Sequence, residues 1–583
     1  MQKKMILIVG LGLSIVNLLF MHYYFMYANI FYCIENMFAF THLLNIFSIF
    51  SDVTIIFLLM YLLTLGRIRT SIHLCFFTTL IWSFANVLYS RFFYQNISLS
   101  AIFQIGNITD GIVTNSMVNG FRWTDFFYFI SATLYIVAYK RYSIVTEIHK
   151  GWRKNKKLII TIFSIPFISF TLSFLSITVH FFFSPNSRNH PELYFPRLNE
   201  YLTNPFIWKS NMPVNVHYIT GSVRYIISDI VDELTVYELT DEERKEIRKE
   251  YIDYHERRTE HNVNPKIKNV IFILLESFLS TSSDLQIEGK EITPFLNSLK
   301  KDSSIYYNGN IEPNITIGES GDGQLIYMSG LLPLRNKITV GIAKKHELIG
   351  LPQLLKEKFG IKYTEIIIPS SPVVWEQRSM NMRYGIDYML SAVDIAGSSS
   401  LINDEMVYSL AKRTNKESKQ PFFSMVLGIS THQPYNNSVD KDFCLSDTSM
   451  PIQYKNYLIA CHYVDKQIKK YFDYLRKKNI FENSLIIIAS DHHPHIEKMS
   501  MEGIISKTLP LYIINSGLDV ENMYHGKANQ LDVYTTILDI LGINSEWQGL
   551  GHTLLSPHYT NSVDNKTYDI SEKIIMGNYF SNN

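Results

Sequence analysis

Long charge-free stretches fill the N-terminal third of this 583-residue chain and constrain its fold more than any other feature. Residues 5–34 contain no Asp, Glu, Lys or Arg, and about 20 apolar residues suffice to cross a hydrocarbon core of about 30 Å. A cleaved signal peptide is the alternative, but the segment is too long and no small-residue cleavage site follows it. We predict five membrane-spanning helices, at residues 5–34, 44–66, 71–90, 124–139 and 158–183.

The distribution of Lys and Arg predicts how these spans are oriented. Basic residues cluster at the N-terminus, after the second span and, most densely, at 140–157 after the fourth span. Because short cytoplasmic loops carry the excess of Lys and Arg, five spans would place everything beyond residue 183 outside the cytoplasm. The formal net charge of +1 excludes a nucleic-acid binder that relies on bulk charge.

Asp52 is the one charged residue in the second predicted span. A charged residue in a span is a functional candidate, because burying it in lipid is costly. The alternative is a position near the outer rim of the membrane, where the carboxylate is hydrated. We favour this alternative from the sequence.

The chain changes character after the last predicted span. Residues 184–267 are rich in proline at first and then highly charged, with Thr240 as the expected N-cap of an exposed helix, so we interpret them as an amphipathic, charged linker. From residue 268, four apolar runs alternate with helical patterns, which favours an α/β domain with a mainly parallel central sheet. We predict a transmembrane domain at 1–183, a linker at 184–267 and an α/β domain at 268–583.

Polar residues follow three of the four apolar runs. Glu276 follows the first run, His432 follows the third, and Asp491 with His492 follows the fourth. The carboxyl ends of parallel strands meet at one edge of a sheet, where binding sites form. Carboxylate oxygen and imidazole nitrogen suit Mn²⁺ or Zn²⁺, and Mg²⁺ where nitrogens are fewer. The sequence therefore predicts a site for a divalent metal ion.

Ser320 is the candidate nucleophile beside that metal. Gly318, Gly321 and Gly323 surround it and allow close backbone approach. A serine hydroxyl becomes a good nucleophile only when a base or a metal lowers its pKa. The rival is a Ser-His-Asp triad, but its Gly-x-Ser-x-Gly turn requires glycine where this chain has Asp322. We therefore favour the metal-assisted nucleophile.

Together these motifs resemble the lipoteichoic acid synthase family, which are membrane phosphoglycerol transferases with a sulfatase-like domain of the alkaline phosphatase superfamily. The resemblance covers nearly the whole chain. Residues 269–278 match the first metal-ligand strand, residues 318–322 match the nucleophile loop, usually Gly-Lys-Thr-Ser-Asp, and residues 490–492 match the second ligand strand. The resemblance implies Ser320 as catalytic residue and a metal held by Glu276, Ser320, Asp491 and His492.

Further motifs imply where the substrate binds, and three departures stand out. Trp375-Glu-Gln-Arg378 is similar to the family's Trp-x-Arg element with one residue extra, and His432 lies in a turn that matches the family's histidine turn. The resemblance implies that Trp375, Arg378 and His432 bind substrate. Ser320 stands where threonine is usual, and Glu319 stands where lysine is common. The family's histidine upstream of the tryptophan has no counterpart at 368–371.

The resemblance implies transfer of a phosphoglycerol-type headgroup through a covalent Ser320 intermediate at the bacterial cell (inner) membrane. The implied partners are a phospholipid donor such as phosphatidylglycerol, a cell-envelope glycan or glycolipid acceptor, and the bilayer itself. The implied cofactor is one divalent ion, Mn²⁺ in preference to Mg²⁺ or Zn²⁺. The alternatives are a phosphoethanolamine transferase, an envelope phosphodiesterase, or a membrane receptor with a degenerate enzyme domain. A disulfide between Cys444 and Cys461 is left open.

Overall fold

The computed structural model describes residues 2–27, 39–93, 96–98, 102, 121–142, 160, 163–172, 175, 221–234 and 237–255, and residues 263–582 except 284, 336, 398–401, 417–418, 436–442, 448, 496–498, 500 and 502. The described residues up to 234 form one compact unit, and those from 237 onward form a second.

The first unit is helical. Its helices are α1 (Gln2–Tyr27), α2 (Ala39–Leu63), α3 (Ile68–Phe93), α4 (Phe126–Tyr142) and α5 (Ser222–Leu234). Among the described residues, three stretches are long and apolar enough to cross a membrane: Ile6–Phe25, Asn45–Leu63 and Ile68–Arg91. They overlap the first three predicted spans, and the third extends past residues 71–90 at both ends. Helix α1 packs against α2, α3 and α4.

The fourth and fifth predicted spans are less well defined. Helix α4 overlaps the fourth but has only 17 residues, and the apolar helical segment Phe163–Leu172 lies within the fifth. Most other residues of the fifth predicted span lie outside the described part of the chain. The count of five spans therefore stays a prediction.

Asp52 lies inside α2, and our expectation that it is hydrated is wrong. Its side chain is buried, and its carboxylate accepts hydrogen bonds from the backbone N–H groups of Ser222 (2.6 Å) and Val223 (3.1 Å). The first N–H groups of a helix have no partner within the helix, so they favour an anion. A carboxylate in the span therefore caps the start of α5.

Gly221 permits this contact. Its φ of +89° lies in the left-handed region, and a Cβ atom there would come 2.6 Å from Asp52 Oδ2. Only glycine adopts that conformation readily. The approach of α5 to α2 thus depends on both the carboxylate and the missing side chain.

We expect Gly221→Ala to destabilise the first unit by at least the roughly 1–2 kcal/mol that a left-handed conformation costs an L-residue, because the methyl group would also push against Asp52. The measurement is the thermal unfolding midpoint of the purified chain in detergent. Gly12→Ala is the matched control, since a Cβ at Gly12 meets nothing within 4 Å. Equal midpoints for the two variants would contradict the role of Gly221.

The second unit is built on an eight-stranded sheet. Its strands are β1 (Asn269–Leu275), β2 (Tyr306–Glu312), β3 (Tyr363–Ile368), β4 (Tyr388–Ser391), β5 (Phe422–Leu427), β6 (Ser484–Ser490), β7 (Leu509–Ile514) and β8 (Ala528–Asn529). They lie in the order β8-β2-β7-β6-β1-β5-β3-β4. Strand β7 is antiparallel to β6 and β2, and the other pairings are parallel. The prediction of a mainly parallel sheet is confirmed.

Helices cover both faces of this sheet. They are α6 (Asp241–His255), α7 (Pro294–Lys300), α8 (Glu319–Ser329), α9 (Thr339–Ala343), α10 (Leu351–Leu354), α11 (Gln377–Tyr384), α12 (Ala392–Ala396), α13 (Asp404–Thr414), α14 (Ile452–Lys477), α15 (Leu531–Ile540) and α16 (Asn565–Met576). Alternate residues of β1 point to opposite faces: Ile271 belongs to a core shared with α14, whereas Phe272 contacts Tyr327 of α8. Every residue of β1 is buried, as its continuous apolar run predicted.

Two helix starts within and after the predicted linker differ in how they are capped. At α6, Thr240 Oγ1 accepts from the Glu243 N–H (3.2 Å) and Glu243 accepts from the Thr240 N–H (3.0 Å), which confirms the predicted cap. Helix α7 begins after Thr293 as its Thr-Pro pair indicates, but its first N–H groups donate to the carboxylate of Asp465 instead. Cys444 is exposed, Cys461 is buried, and both are free thiols.

Candidate functional site

Two acidic residues directly follow two neighbouring strands of the sheet. Strands β1 and β6 are paired in parallel with Leu275 opposite Ser490, so the next residues, Glu276 and Asp491, emerge together at the carboxyl edge. The Asp491 N–H continues the ladder by donating to the Leu275 carbonyl at 3.0 Å. The backbone alone therefore brings the two carboxylates together.

Glu276, Asp491 and His492 form a buried cluster at this edge. Each offers one ligand atom within 4.8 Å of the others. His492 Nε2 lies 3.6 Å from Glu276 Oε1 and 3.6 Å from Asp491 Oδ2. Two carboxylates and one imidazole converging at these distances can hold a divalent cation.

Local hydrogen bonds aim these side chains. Asp491 Oδ1 accepts from the N–H groups of Ser277 (2.8 Å) and His492 (2.7 Å), and the Ser277 hydroxyl donates to Glu276 Oε1 at 2.7 Å. His492 Nδ1 lies 2.8 Å from the His493 carbonyl oxygen, which only accepts. Nδ1 therefore carries the hydrogen of the neutral ring, and Nε2 keeps its lone pair toward the cluster.

Ser320 completes the cluster from another element. It is the second residue of α8, and its Oγ lies 3.1 Å from His492 Nε2 and 3.4 Å from Glu276 Oε2. The start of a helix favours phosphate groups, because its N–H groups are unpaired. The Ser320 hydroxyl thus lies between the cluster and the N-terminus of α8, which suits an anion.

Gly323 lets α8 come close enough. A Cβ atom there would lie 2.5 Å from the carbonyl oxygen of Asp491, so any side chain would push the helix off the strand end. Gln530 Nε2 donates to that same carbonyl at 2.7 Å, and the Tyr327 hydroxyl donates to the Ser490 carbonyl at 2.7 Å. The expectation of close backbone approach in this glycine loop is confirmed.

Asp322 has a role that the sequence reasoning missed. Its Oδ2 accepts from the N–H and hydroxyl of Thr316 (2.9 and 2.8 Å) and from the Gly318 N–H (2.9 Å). The side chain is fully buried, and burial raises the pKa of its carboxyl to about 6. Asp322 thus shapes the loop that leads to Ser320. Its partners Thr316 and Gly318 lie only six and four residues earlier, so an Asp capping its own loop was the pattern that could have revealed this role.

The three residues implied as substrate-binding occupy different environments. A Cβ at Gly321 would lie 3.4 Å from the ring of Trp375, so the indole is beside the helix that carries Ser320. Arg378 is exposed at the start of α11. His432 Nδ1 lies 2.6 Å from the Gln433 carbonyl, and the neighbouring Thr431 hydroxyl donates to the Glu276 carbonyl. The roles of all three stay predictions.

A ring of three buried amide side chains ties the tryptophan element to α8. Gln377 donates to Gln324 (2.6 Å), Gln324 donates to Asn381 (3.2 Å), and Asn381 donates to Gln377 (3.1 Å). Gln377, one of the two residues between Trp375 and Arg378, therefore points inward as an anchor. No short-range pattern in the sequence marks it.

The electrostatics of the cluster fit a divalent cation. Among the described residues, neither Glu276 nor Asp491 forms an ion pair with Lys or Arg. Burial, with the Glu276 charge adding to it, raises the pKa of Asp491 to about 7. Burial alone would lower the pKa of His492, but the carboxylates of Asp491, Glu319 and Glu276 raise it to about 9. Buried like charges of this kind call for a metal ion or bound protons.

Comparison with known families agrees with this geometry. The model of the lipoteichoic acid synthase N-terminal domain matches residues 1–204, and the sulfatase family model matches residues 268–543. The chain is similar to the lipoteichoic acid synthase family along most of its length. Lipoteichoic acid synthase 2 of Bacillus subtilis is 26% identical over 88% of this chain and 78% of its own length.

Other relatives extend the comparison to the whole fold. Lipoteichoic acid synthase of Staphylococcus aureus USA300 is 24% identical over 86% of this chain and 77% of its own length. The structure of lipooligosaccharide phosphoethanolamine transferase A, an integral membrane protein of Neisseria meningitidis, has a TM-score of 0.51 at 12% identity. It covers 91% of this chain and 95% of that one. This likeness shows the shared fold.

We expect the affinity for Mn²⁺ to rise with pH up to the pKa of His492, about 9, and to rise more steeply below the pKa of Asp491, about 7. Both groups must lose a proton to become ligands, so each displaced proton contributes up to about tenfold in affinity per pH unit. Titration calorimetry of the full chain in two buffers of different ionisation enthalpy counts the protons released. A binding constant independent of pH over this range would contradict the ligand assignment.

Proposed function

We propose that this chain transfers a phosphoglycerol-type headgroup from a membrane phospholipid to a cell-envelope glycan or glycolipid, through a covalent intermediate on Ser320. The observation that carries the proposal is the convergence of four groups around His492 Nε2. This atom lies 3.1 Å from Ser320 Oγ and 3.6 Å from a carboxylate oxygen of both Glu276 and Asp491. Similarity to proteins named lipoteichoic acid synthase supports the phosphotransferase class.

Glu276, Asp491 and His492 would hold the divalent ion, together with Ser320 Oγ. Two carboxylates and a single imidazole favour Mn²⁺, with Mg²⁺ or Zn²⁺ as alternatives. When bound, the ion lowers the pKa of a coordinated hydroxyl and neutralises charge on phosphate. The contribution of the protein is to hold these ligands rigidly, through the backbone N–H groups that bind Asp491 and the carbonyl that binds His492 Nδ1.

The reaction has two displacement steps. Ser320 loses its proton, its Oγ forms a bond to the donor phosphorus, and the bond from phosphorus to the diacylglycerol oxygen breaks; that oxygen takes up a proton. An acceptor hydroxyl then loses its proton, bonds to phosphorus and releases Ser320, which regains a proton. Trp375 would pack against the headgroup, Arg378 would contact the phosphate, and His432 would donate a hydrogen bond.

The apolar helices support a donor that resides in the bilayer. Diacylglycerol remains in the membrane after it leaves, and tethering raises the effective concentration of the catalytic domain near its substrate. The distribution of Lys and Arg favours an extracytoplasmic catalytic domain at a bacterial cell membrane. This orientation would place the domain beside envelope acceptors.

We expect Ser320→Ala to lower diacylglycerol release by at least about 10³-fold and to abolish the covalent adduct, because no oxygen remains to attack phosphorus. Ser320→Thr should retain transfer, since it keeps the hydroxyl and matches the usual residue of the family. Purified full chain in phosphatidylglycerol nanodiscs with Mn²⁺ serves as the assay, with mass spectrometry of the peptide that contains residue 320.

Ser298→Ala is the control, because its exposed hydroxyl lies on α7 and only donates to the Phe295 carbonyl. Turnover by Ser320→Ala at the wild-type rate would reject the covalent step. A comparison of phosphatidylglycerol with phosphatidylethanolamine as donor separates this proposal from a phosphoethanolamine transferase. The alternative has a specific basis, because Glu319 stands where lysine is common.

A further inference from the structure

Glu319 faces the metal cluster from the side opposite the ligands. Its Oε2 lies 3.5 Å from His492 Nδ1, whereas Ser320, Glu276 and Asp491 all face His492 Nε2. The side chain of Glu319 is 19% exposed and that of His492 is 7% exposed. A carboxylate in this position cannot share an ion with Nε2, because the two ring nitrogens point in different directions.

The backbone holds Glu319 in an unusual conformation. Its φ is +43°, in the left-handed region that non-glycine residues avoid. It is the first residue of α8, where a negative charge also suits the helix N-terminus. Strain of this kind persists where the surrounding structure requires it, and it clusters at functional sites.

We propose that Glu319 is a positioning residue that acts through His492 and strengthens divalent metal binding. The hydrogen bond from Nδ1 to the His493 carbonyl (2.8 Å) sets the ring orientation, and the negative charge of Glu319 at 3.5 Å adds to it. The added charge makes Nε2 a better donor to the ion. Carboxylates beside metal-bound imidazoles act in this way elsewhere.

This inference rests on the metal site of the proposed function but is tested by binding, without turnover. Mn²⁺ affinity of the full chain in detergent is measured by titration calorimetry for the wild type, Glu319→Gln and Glu319→Lys. We expect Glu319→Gln to weaken binding by about tenfold, and Glu319→Lys to weaken it further. Glu357→Gln is the control, because Glu357 is exposed and accepts a hydrogen bond from Gln353.

A double-mutant cycle tests whether Glu319 acts through the imidazole. In a His492→Gln background, Glu319→Gln should change Mn²⁺ affinity by less than about twofold, and it should shift the Co²⁺ absorption spectrum only when His492 is present. Wild-type affinity in both Glu319 variants would overturn the inference and leave the proposed function intact. An equal loss with and without His492 would also overturn it. A wild-type chain that binds no divalent ion would reject the metal site itself.

Discussion

Two buried carboxylates that cannot move apart are the constraint on which the second unit depends. Glu276 and Asp491 continue strands whose register is set by a ladder of backbone hydrogen bonds. Two negative charges that are held side by side and removed from water destabilise each other unless a proton or a cation compensates them. The neighbouring groups are arranged for a cation, because Nε2 of His492 and the hydroxyl of Ser320 face the same point. In the proposed function, metal binding and activation of Ser320 would therefore be one event.

The position of Ser320, the proposed nucleophile, is set by backbone packing. Helix α8 comes close to the end of β6 at Gly323, which has no side chain and lies against the Asp491 carbonyl. That carbonyl and its predecessor are also held by Gln530 and Tyr327. The side chain of Ser320 is short, so little rotational freedom is lost when its hydroxyl is placed at the cluster. The amide ring around Gln377 extends the same rigidity to the tryptophan element.

The sequence was informative where structure follows from short-range pattern. The apolar runs of β1, β5 and β6 predicted buried strands, and the polar residues after them share an edge because parallel strands end together. Strand β2 was missed because its Tyr306–Glu312 segment mixes asparagine and glycine with apolar residues, and β7 was missed because Pro510 argues against a strand between two others. The roles of Asp465 and Asp52 depend on partners about 170 residues away along the chain, which no local pattern reveals. The family and its phosphotransferase class were predicted correctly from motifs.

The contact between Asp52 and the start of α5 also makes cleavage before α5 and cleavage after α5 unequal. A protease that cut between residues 184 and 220 would leave the amides of α5 joined by the chain to the second unit alone, and held at Asp52 by non-covalent contacts. A cut after residue 234 would release nearly the same fragment and leave those amides attached. Two cuts that give fragments of similar size would thus differ in whether the buried Asp52 carboxylate keeps a covalently attached partner.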